Sequence, residues 1–193
     1  MDTETQHYYS VNAGRYFAET VNFPVRQAEE EFLKHIPQKG RILDCGCGSG
    51  RDTARFLSLG YDTDAIDKCS ELCLLASRYT GLEVRCMDYR DIVSNEAYDG
   101  IWAQASLLHE RRENLLSVFS VLSRALRREG VLYASFREGE MDGREGERWY
   151  TNMTEESLTP LLPSSLSVIR LWYSTDVRPG YTHRWMNILL ERT

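Results

Sequence analysis

The stretch RILDCGCGSGRD, residues 41–52, joins a short apolar run to three alternating glycines. The apolar residues predict a buried strand over 41–44, and RDTARFLSLG (51–60) predicts a helix directly after the glycines. A glycine-rich turn between a first strand and its helix lets a ligand approach the backbone closely. This placement predicts a nucleoside-binding turn. Its pattern is Asp44-x-Gly46-x-Gly48-x-Gly50.

Strands and helices alternate along the rest of the chain. This rhythm is typical of a mostly parallel sheet with helices on both faces, a doubly wound α/β fold. Two final strand-like segments have no helix between them, which predicts an antiparallel C-terminal hairpin. The predicted strands lie in 61–67, 82–88, 98–108, 131–136, 167–174 and 183–192, and the predicted helices in 51–60, 70–81 and 115–126, the last ended by Gly130.

The N-terminal 38 residues predict a helical cover over the sheet. Val25, Phe32 and Ile36 keep one helical face, with prolines near both ends of the segment. A length of 193 residues fits one domain comfortably. We therefore expect a single domain over 1–193, with a helical cap in 1–38 and an α/β core in 39–193.

Composition narrows the class of protein. The formal net charge of −6 disfavours binding of nucleic acid by bulk electrostatics, although a local basic face stays possible. The N-terminus lacks the apolar core of a signal peptide, and no apolar run approaches the roughly 18 residues of a membrane span. The five cysteines, all between Cys45 and Cys86, predict reduced thiols and a cytoplasmic location.

Acidic residues at the ends of the predicted strands limit which cofactor the turn can bind. Asp67 ends the second strand, where a carboxylate can hold both ribose hydroxyls of a nucleoside. Asp88 ends the third, where it can accept from an adenine amino group. A dinucleotide requires GxGxxG, whereas this turn has GxGxG preceded by Asp44. Negative charge at Asp44 disfavours a pyrophosphate and favours a cofactor with a cationic amino-acid end.

These motifs carry a family resemblance. ILDCGCGSG, then Asp67 and MDYRD, resemble the class I S-adenosylmethionine-dependent methyltransferases over about residues 8–193. Softer features, IWAQASLLH, TEESL and DVRPG, resemble small bacterial methyltransferases of the tellurite-resistance type. The resemblance implies a Rossmann-like sheet in the strand order 3-2-1-4-5-7-6, with strand 7 antiparallel, and S-adenosylmethionine as cofactor.

The resemblance also implies a set of cofactor-binding residues. The methionine part would lie against Asp44, Gly46 and Gly48, with Gly50 closing the turn. The ribose would bind Asp67. The remaining implied contacts are Met87 and Asp88 at the adenine, Ala103 and Gln104 beneath the methionine part, and Tyr8, Tyr16 and Thr20 from the N-terminal helix.

Several other residues invite a functional interpretation. Cys45 and Cys47 are too close for an ordinary disulfide and lack further ligands at zinc spacing, so we expect core thiols and no metal. His109, just after the fourth strand, is the best candidate for a general base. The segment 137–152 reads as a charged, irregular loop after the fifth strand. Its acceptor-side candidates are Arg137, Arg144, Arg148, Trp149 and Tyr150, joined by Arg178 from the last turn.

The sequence therefore predicts methyl transfer from S-adenosylmethionine to a small acceptor by a monomer or homodimer. Two alternatives stay open at this point. One is a methyltransferase for the wobble base of tRNA, which shares this core. The other is a non-catalytic, cofactor-binding subunit that activates a partner protein.

Overall fold

The computed structural model describes residues 1–23, 25–176 and 180–193. The quoted apolar run forms β1, at the centre of a seven-stranded sheet. The strands of this sheet are β1 Arg41–Cys45, β2 Asp62–Asp67, β3 Arg85–Cys86, β4 Tyr98–Ala103, β5 Leu126–Arg137, β8 Leu166–Thr175 and β9 Arg184–Arg192. Two further strands, β6 Asp142–Glu145 and β7 Arg148–Thr151, form a separate hairpin.

The strand order is β3-β2-β1-β4-β5-β9-β8. β9 lies antiparallel between β5 and β8, and the other neighbouring pairs are parallel. Since β8 and β9 are the sixth and seventh strands of this sheet, the predicted order 3-2-1-4-5-7-6 is confirmed. The predicted terminal antiparallel hairpin is confirmed as well.

Alternation along the central strands divides the core between the two sheet faces. In β1, Leu43 packs with the cluster that contains Phe119 of α5, whereas Ile42 packs with Phe32 of α2. Since successive side chains point to opposite faces, a strand buried on both sides is apolar throughout. The helices are α1 Thr3–Thr20, α2 Arg26–Leu33, α3 Arg51–Ser58, α4 Ser70–Thr80, α5 Arg112–Ala125 and α6 Glu155–Leu158.

Three sequence predictions are corrected by the structure. The helix predicted over 115–126 ends at Ala125, not Gly130, because Leu126 is extended with ψ 148° and begins β5. The third strand is only Arg85–Cys86 rather than 82–88, since it pairs with β2 at just two positions. The segment 137–152 is not irregular, because it contains the β6–β7 hairpin.

The hairpin is tied to the N-terminal helix α1. The Trp149 N–H donates to Thr5 Oγ1 at 2.8 Å. Arg144 forms ion pairs with Asp2 at 2.8 Å and Glu4 at 2.9 Å. We call α1 together with the β6–β7 hairpin the roof, because both parts line the functional site described below. Over the described residues, no helix has the length and apolar content needed to cross a membrane.

Candidate active site

The glycine turn between β1 and α3 is left-handed at each glycine, with φ of 81° at Gly46, 54° at Gly48 and 75° at Gly50. A Cβ at Gly46 would lie 2.5 Å from Cβ of Ser106, and one at Gly48 would lie 3.2 Å from the Tyr16 ring. The missing side chains thus allow the turn to approach both α1 and the segment after β4. This is the close backbone cradle that a nucleoside cofactor needs.

Asp67 at the end of β2 faces this turn. Its Oδ2 accepts the Gly48 N–H at 2.9 Å, and its Oδ1 accepts the Cys69 N–H at 2.8 Å. Burial raises the pKa of Asp67, while the backbone hydrogen bonds oppose that rise. A carboxylate oxygen has more than one lone pair, so each oxygen can also accept from a ligand hydroxyl.

Two cavities meet beside the turn. The large cavity has a volume of about 730 Å³ and the small cavity about 70 Å³. The small cavity alone is below the roughly 300–1,000 Å³ usual for ligand sites. The two cavities adjoin, because six residues line both. The shared residues are Tyr9, Tyr16, Gly46, Gln104, Ala105 and His109.

A buried acid closes the glycine-turn end of the large cavity. Asp44 is 3% exposed and accepts a hydrogen bond from Thr53 Oγ1 at 2.5 Å. Burial and the nearby charge of Asp52 raise the pKa of Asp44. Asp52 itself is paired with Arg51 at 2.6 Å and accepts from the Trp102 indole at 2.8 Å. Asp44 therefore suits a ligand that brings a positive charge, which would lower this pKa.

His109 lies at the junction of the two cavities and is buried. Its Nδ1 lies 2.7 Å from the Trp149 carbonyl oxygen, and its Nε2 lies 2.7 Å from the Tyr9 hydroxyl. Since a carbonyl only accepts, Nδ1 carries the proton and Nε2 accepts from Tyr9. Burial, together with the charges of Arg148 and Arg137, lowers the pKa of His109 to about 4. The ring is thus neutral, and both nitrogens are engaged.

We expect this histidine to make stability depend on pH. The pKa of His109 falls from 6.5 in the unfolded chain to about 4 in the folded protein. The histidine therefore binds a proton more readily in the unfolded chain. The free energy of unfolding should decrease as pH falls from about 6.5 to about 4, by up to about 3 kcal/mol. Urea unfolding across this range checks the effect. In His109→Gln the free energy of unfolding should depend less steeply on pH over this range. If the two proteins lose stability equally as the pH falls, the prediction is wrong.

The opposite end of the large cavity carries arginines and aromatic rings. Arg137, at the end of β5, stacks on Tyr150 with its Cζ 3.8 Å from the ring centroid. Arg148 lies 4.6 Å from the centroid of Tyr8 and 5.3 Å from that of Tyr150. Further aromatic side chains extend the walls of this cavity. They are Phe23, Tyr133, Trp172, Tyr173, Tyr181 and Trp185.

Most of the residues predicted from the sequence line these cavities. The large cavity takes predicted residues from the turn, from α1 and from the acceptor side. The small cavity adds Gly48, Asp67 and Met87. Gly50 instead packs against Ala76 and Thr80 of α4. The predicted residues that line the large cavity are Tyr16, Thr20, Asp44, Gly46, Gln104, His109, Arg137, Arg148 and Tyr150.

Two predicted cofactor contacts are not brought to either cavity. Asp88 caps the turn after β3 and pairs with Arg90 at 2.7 Å and Lys68 at 3.1 Å, which lowers its pKa. Ala103 is fully buried in the core, because its position in β4 points into the sheet face covered by α5.

Three predicted contacts from the roof also lie outside the cavities. Tyr8 packs under Arg148, and Arg144 is held by its ion pairs to α1. Trp149 stacks under Arg111, with Cζ of the arginine 4.1 Å from its ring centroid. Arg178 lies outside the described residues.

Several lining residues were missed by sequence reasoning. Tyr9 is two turns from Tyr16 on the stripe Tyr9, Ala13, Tyr16 of α1, a spacing that could have indicated it. Arg51 and Asp52 stand directly after the predicted glycine turn and line the large cavity. The described residues contain no group of three side chains that could hold a metal ion.

A comparison with protein-family models identifies one match, the family described as a methyltransferase domain, over residues 42–130. Among curated proteins, a putative methyltransferase of Bacillus subtilis, YqeM, is 26% identical over 117 residues. That alignment covers 55% of this chain and 47% of the relative. The chain thus spans about half the length of this relative.

Solved structures share the fold. One is 1,6-didemethyltoxoflavin-N1-methyltransferase from Burkholderia thailandensis, with bound 1,6-didemethyltoxoflavin and S-adenosylhomocysteine. It has a TM-score of 0.77 and 23% identity, covering 98% of this chain and 87% of that one. Magnesium protoporphyrin IX methyltransferase from Synechocystis, with bound SAH, has a TM-score of 0.76, 14% identity and full coverage of both chains.

Proposed function

We propose that this chain, whose residues 42–130 match the model of a methyltransferase domain, is a class I S-adenosylmethionine-dependent methyltransferase that transfers a methyl group to a small, planar acceptor in the large cavity. The observation that carries the proposal is the pair of adjoining cavities beside the left-handed glycine turn, the larger of which has aromatic walls. The closer likeness to tellurite-resistance-type enzymes stays a prediction.

The residues around the turn suit S-adenosylmethionine. Asp67 would hold the ribose hydroxyls, and the backbone at Gly46 and Gly48 would lie against the methionine part. Asp44 forms no salt bridge among the residues described, and Arg51, whose charge lowers the pKa of Asp44, is itself paired with Asp52. The burial of Asp44 is therefore best compensated by the ammonium group of the ligand. When bound, this cofactor supplies a methyl group made electrophilic by its sulfonium.

The chain itself contributes positioning and exclusion of water. The roof covers the junction of the cavities with Tyr9 and Tyr16, so an acceptor there would be held in a fixed orientation. In this proposal His109 acts through Tyr9, because the Tyr9 hydroxyl donates to its Nε2 and stands between the histidine and Arg148. Its low pKa makes it a weak base, so orientation of Tyr9 is the role we assign to it.

The shape of the site favours a small acceptor. A concave chamber of about 730 Å³ with aromatic walls suits a ring compound better than a folded polynucleotide. The Burkholderia enzyme, whose structure holds 1,6-didemethyltoxoflavin, supports the same assignment. We extend the proposal to one domain over 1–193, with the cap in 1–38 and the core in 39–193. The five free thiols favour the cytoplasm as its location.

Calorimetry and a transfer assay test the function. We expect wild-type protein to bind S-adenosylmethionine and S-adenosylhomocysteine, and to label planar heteroaromatic compounds from methyl-tritiated S-adenosylmethionine. If the protein binds neither S-adenosylmethionine nor S-adenosylhomocysteine, the proposal is refuted. Binding of both with labelling of bulk tRNA alone would support the wobble-base alternative. Binding without transfer to any acceptor, together with a co-purifying stoichiometric partner, would support the non-catalytic alternative.

A further inference from the structure

The guanidinium of Arg148 lacks an anionic partner although it is more than half buried. It contacts the rings of Tyr8 and Tyr150, and the nearby Tyr9 and Tyr150 raise its pKa. No carboxylate of the described ranges lies within salt-bridge distance of it. Aromatic faces stabilise the charge but leave most of the five N–H donors of an arginine unused.

Beside it lie two buried polar atoms without a hydrogen-bond partner in the described part of the chain. They are the hydroxyl of Tyr150, a residue 2% exposed, and Nε of Arg137, a residue 6% exposed. Both residues line the large cavity. Buried polar groups in native proteins are normally satisfied, so these two indicate a ligand with acceptor atoms.

The charge at this end of the cavity is positive. Arg137 has one carboxylate partner, Glu145 at 2.6 Å, whose side chain is 44% exposed. Arg148 adds a second cation within the same ring cluster. The charges of both arginines lower the pKa of His109, which shows that their field reaches the junction of the cavities.

Arg144, another arginine of the roof, has the carboxylate partners that Arg148 lacks in the part of the chain that the structure describes. Arg144, four residues before Arg148, is neutralised by two carboxylates, Asp2 and Glu4, and lies outside both cavities. The arginine that joins the hairpin to α1, Arg144, is therefore neutralised by the acidic residues at the start of the chain. Arg148 differs from Arg144 because it lines the large cavity and has no carboxylate partner among the described residues.

We propose that the acceptor carries an anionic oxygen, as a carboxylate or an ionised enol, which binds Arg148 and the Tyr150 hydroxyl. This inference rests on the proposed function and adds the chemical class of its substrate. Asp44 and Asp52 line the cavity beside the glycine turn, so an anionic group is favoured beside Arg148 rather than beside these acids. A planar acid is thus held in one orientation, with its anionic group directed away from the glycine turn.

Matched fluorine probes test the inference. Binding of para-fluorobenzoate and of its neutral isostere para-fluorobenzamide is measured by fluorine NMR, on protein saturated with S-adenosylhomocysteine. We expect the benzoate to bind at least about tenfold more tightly, as for a charge-assisted hydrogen bond. Arg148→Met should abolish that preference, and Tyr150→Phe should reduce it several-fold. The matched control Arg144→Met should retain it.

The outcomes separate this inference from the proposed function. Calorimetry with S-adenosylhomocysteine on the same samples reports the cofactor site alone, and failure there refutes the function. Normal cofactor binding with equal affinity for the two probes, or with no binding of the benzoate at millimolar concentration, overturns the anionic acceptor only. If Arg148→Met does not fold, the wild-type preference for the benzoate and its several-fold reduction in Tyr150→Phe decide the question.

Discussion

Gly46→Ala is expected to lower the affinity for S-adenosylhomocysteine about a hundredfold, which corresponds to the loss of about two hydrogen bonds between the turn and the cofactor. The new Cβ would lie 2.5 Å from Cβ of Ser106, closer than two such atoms approach. Ser106 cannot easily retreat, because its hydroxyl donates to the Cys45 carbonyl of β1 at 2.7 Å. The turn must shift instead, and with it the backbone that faces the cofactor. Calorimetry gives the affinity.

Gly60→Ala is the matched control for this change. Gly60 is also left-handed, at φ 85°, but a Cβ added there would have no neighbouring atom within 4 Å. Both substitutions carry the left-handed penalty of about 1–2 kcal/mol, whereas only the one at Gly46 adds a collision. We expect unchanged cofactor affinity in Gly60→Ala. Equal affinity in both variants would show that the cofactor does not depend on the close approach at Gly46.

Asp67→Ala is expected to reduce the affinity for S-adenosylhomocysteine by about a hundredfold. Two charged hydrogen bonds to ribose hydroxyls, at about 1.5 kcal/mol or more each, account for that loss. The substitution also leaves the N–H groups of Gly48 and Cys69 without their acceptor. Each buried unpaired donor costs about 1–3 kcal/mol, so the free energy of unfolding should fall as well. Calorimetry and urea unfolding separate the two effects.

Asp88→Ala supplies the comparison at the next strand end. Its carboxylate binds Arg90 and Lys68 and lies outside both cavities. We expect less than about a threefold change in cofactor affinity, since Asp88 lines neither cavity and its carboxylate is occupied by its two cationic partners. A loss as large as that of Asp67→Ala would restore the sequence prediction that Asp88 contacts the adenine. If Asp67→Ala binds S-adenosylhomocysteine as tightly as the wild type does, Asp67 does not bind the ribose.

The succession of strands and helices could be predicted because each unit carries its own local signal, whereas the order of the strands in the sheet was implied by the family resemblance. The glycine turn, the stripe of apolar residues in α5 and the two helix-free terminal segments each specify one connection. Leu126 shows where such signals fail. It continues the apolar stripe of α5 and also suits a strand, and only its pairing with Tyr98 makes it the start of β5.

The site was harder to predict where its parts come from distant segments. Tyr9 belongs to a mainly polar helix, and its partner His109 lies 100 residues further along the chain. The β6–β7 hairpin was hidden because charged residues dominate its sequence. A left-handed Gly146, at φ 59°, turns the chain, and Arg144 pairs in register with Trp149. Such contacts depend on tertiary placement rather than on periodicity.

The bond between Thr5 and Trp149 joins residues 144 positions apart. α1 precedes every strand of the sheet and therefore leaves the ribosome before them. The surface of α4 on which α1 packs, around Leu72, can form early, but β7 is not present until the chain has been synthesised beyond Thr151. The roof is therefore completed only after five of the seven strands of the sheet have been made. The cavities acquire their full lining late in biogenesis, although the glycine turn is among the first parts made.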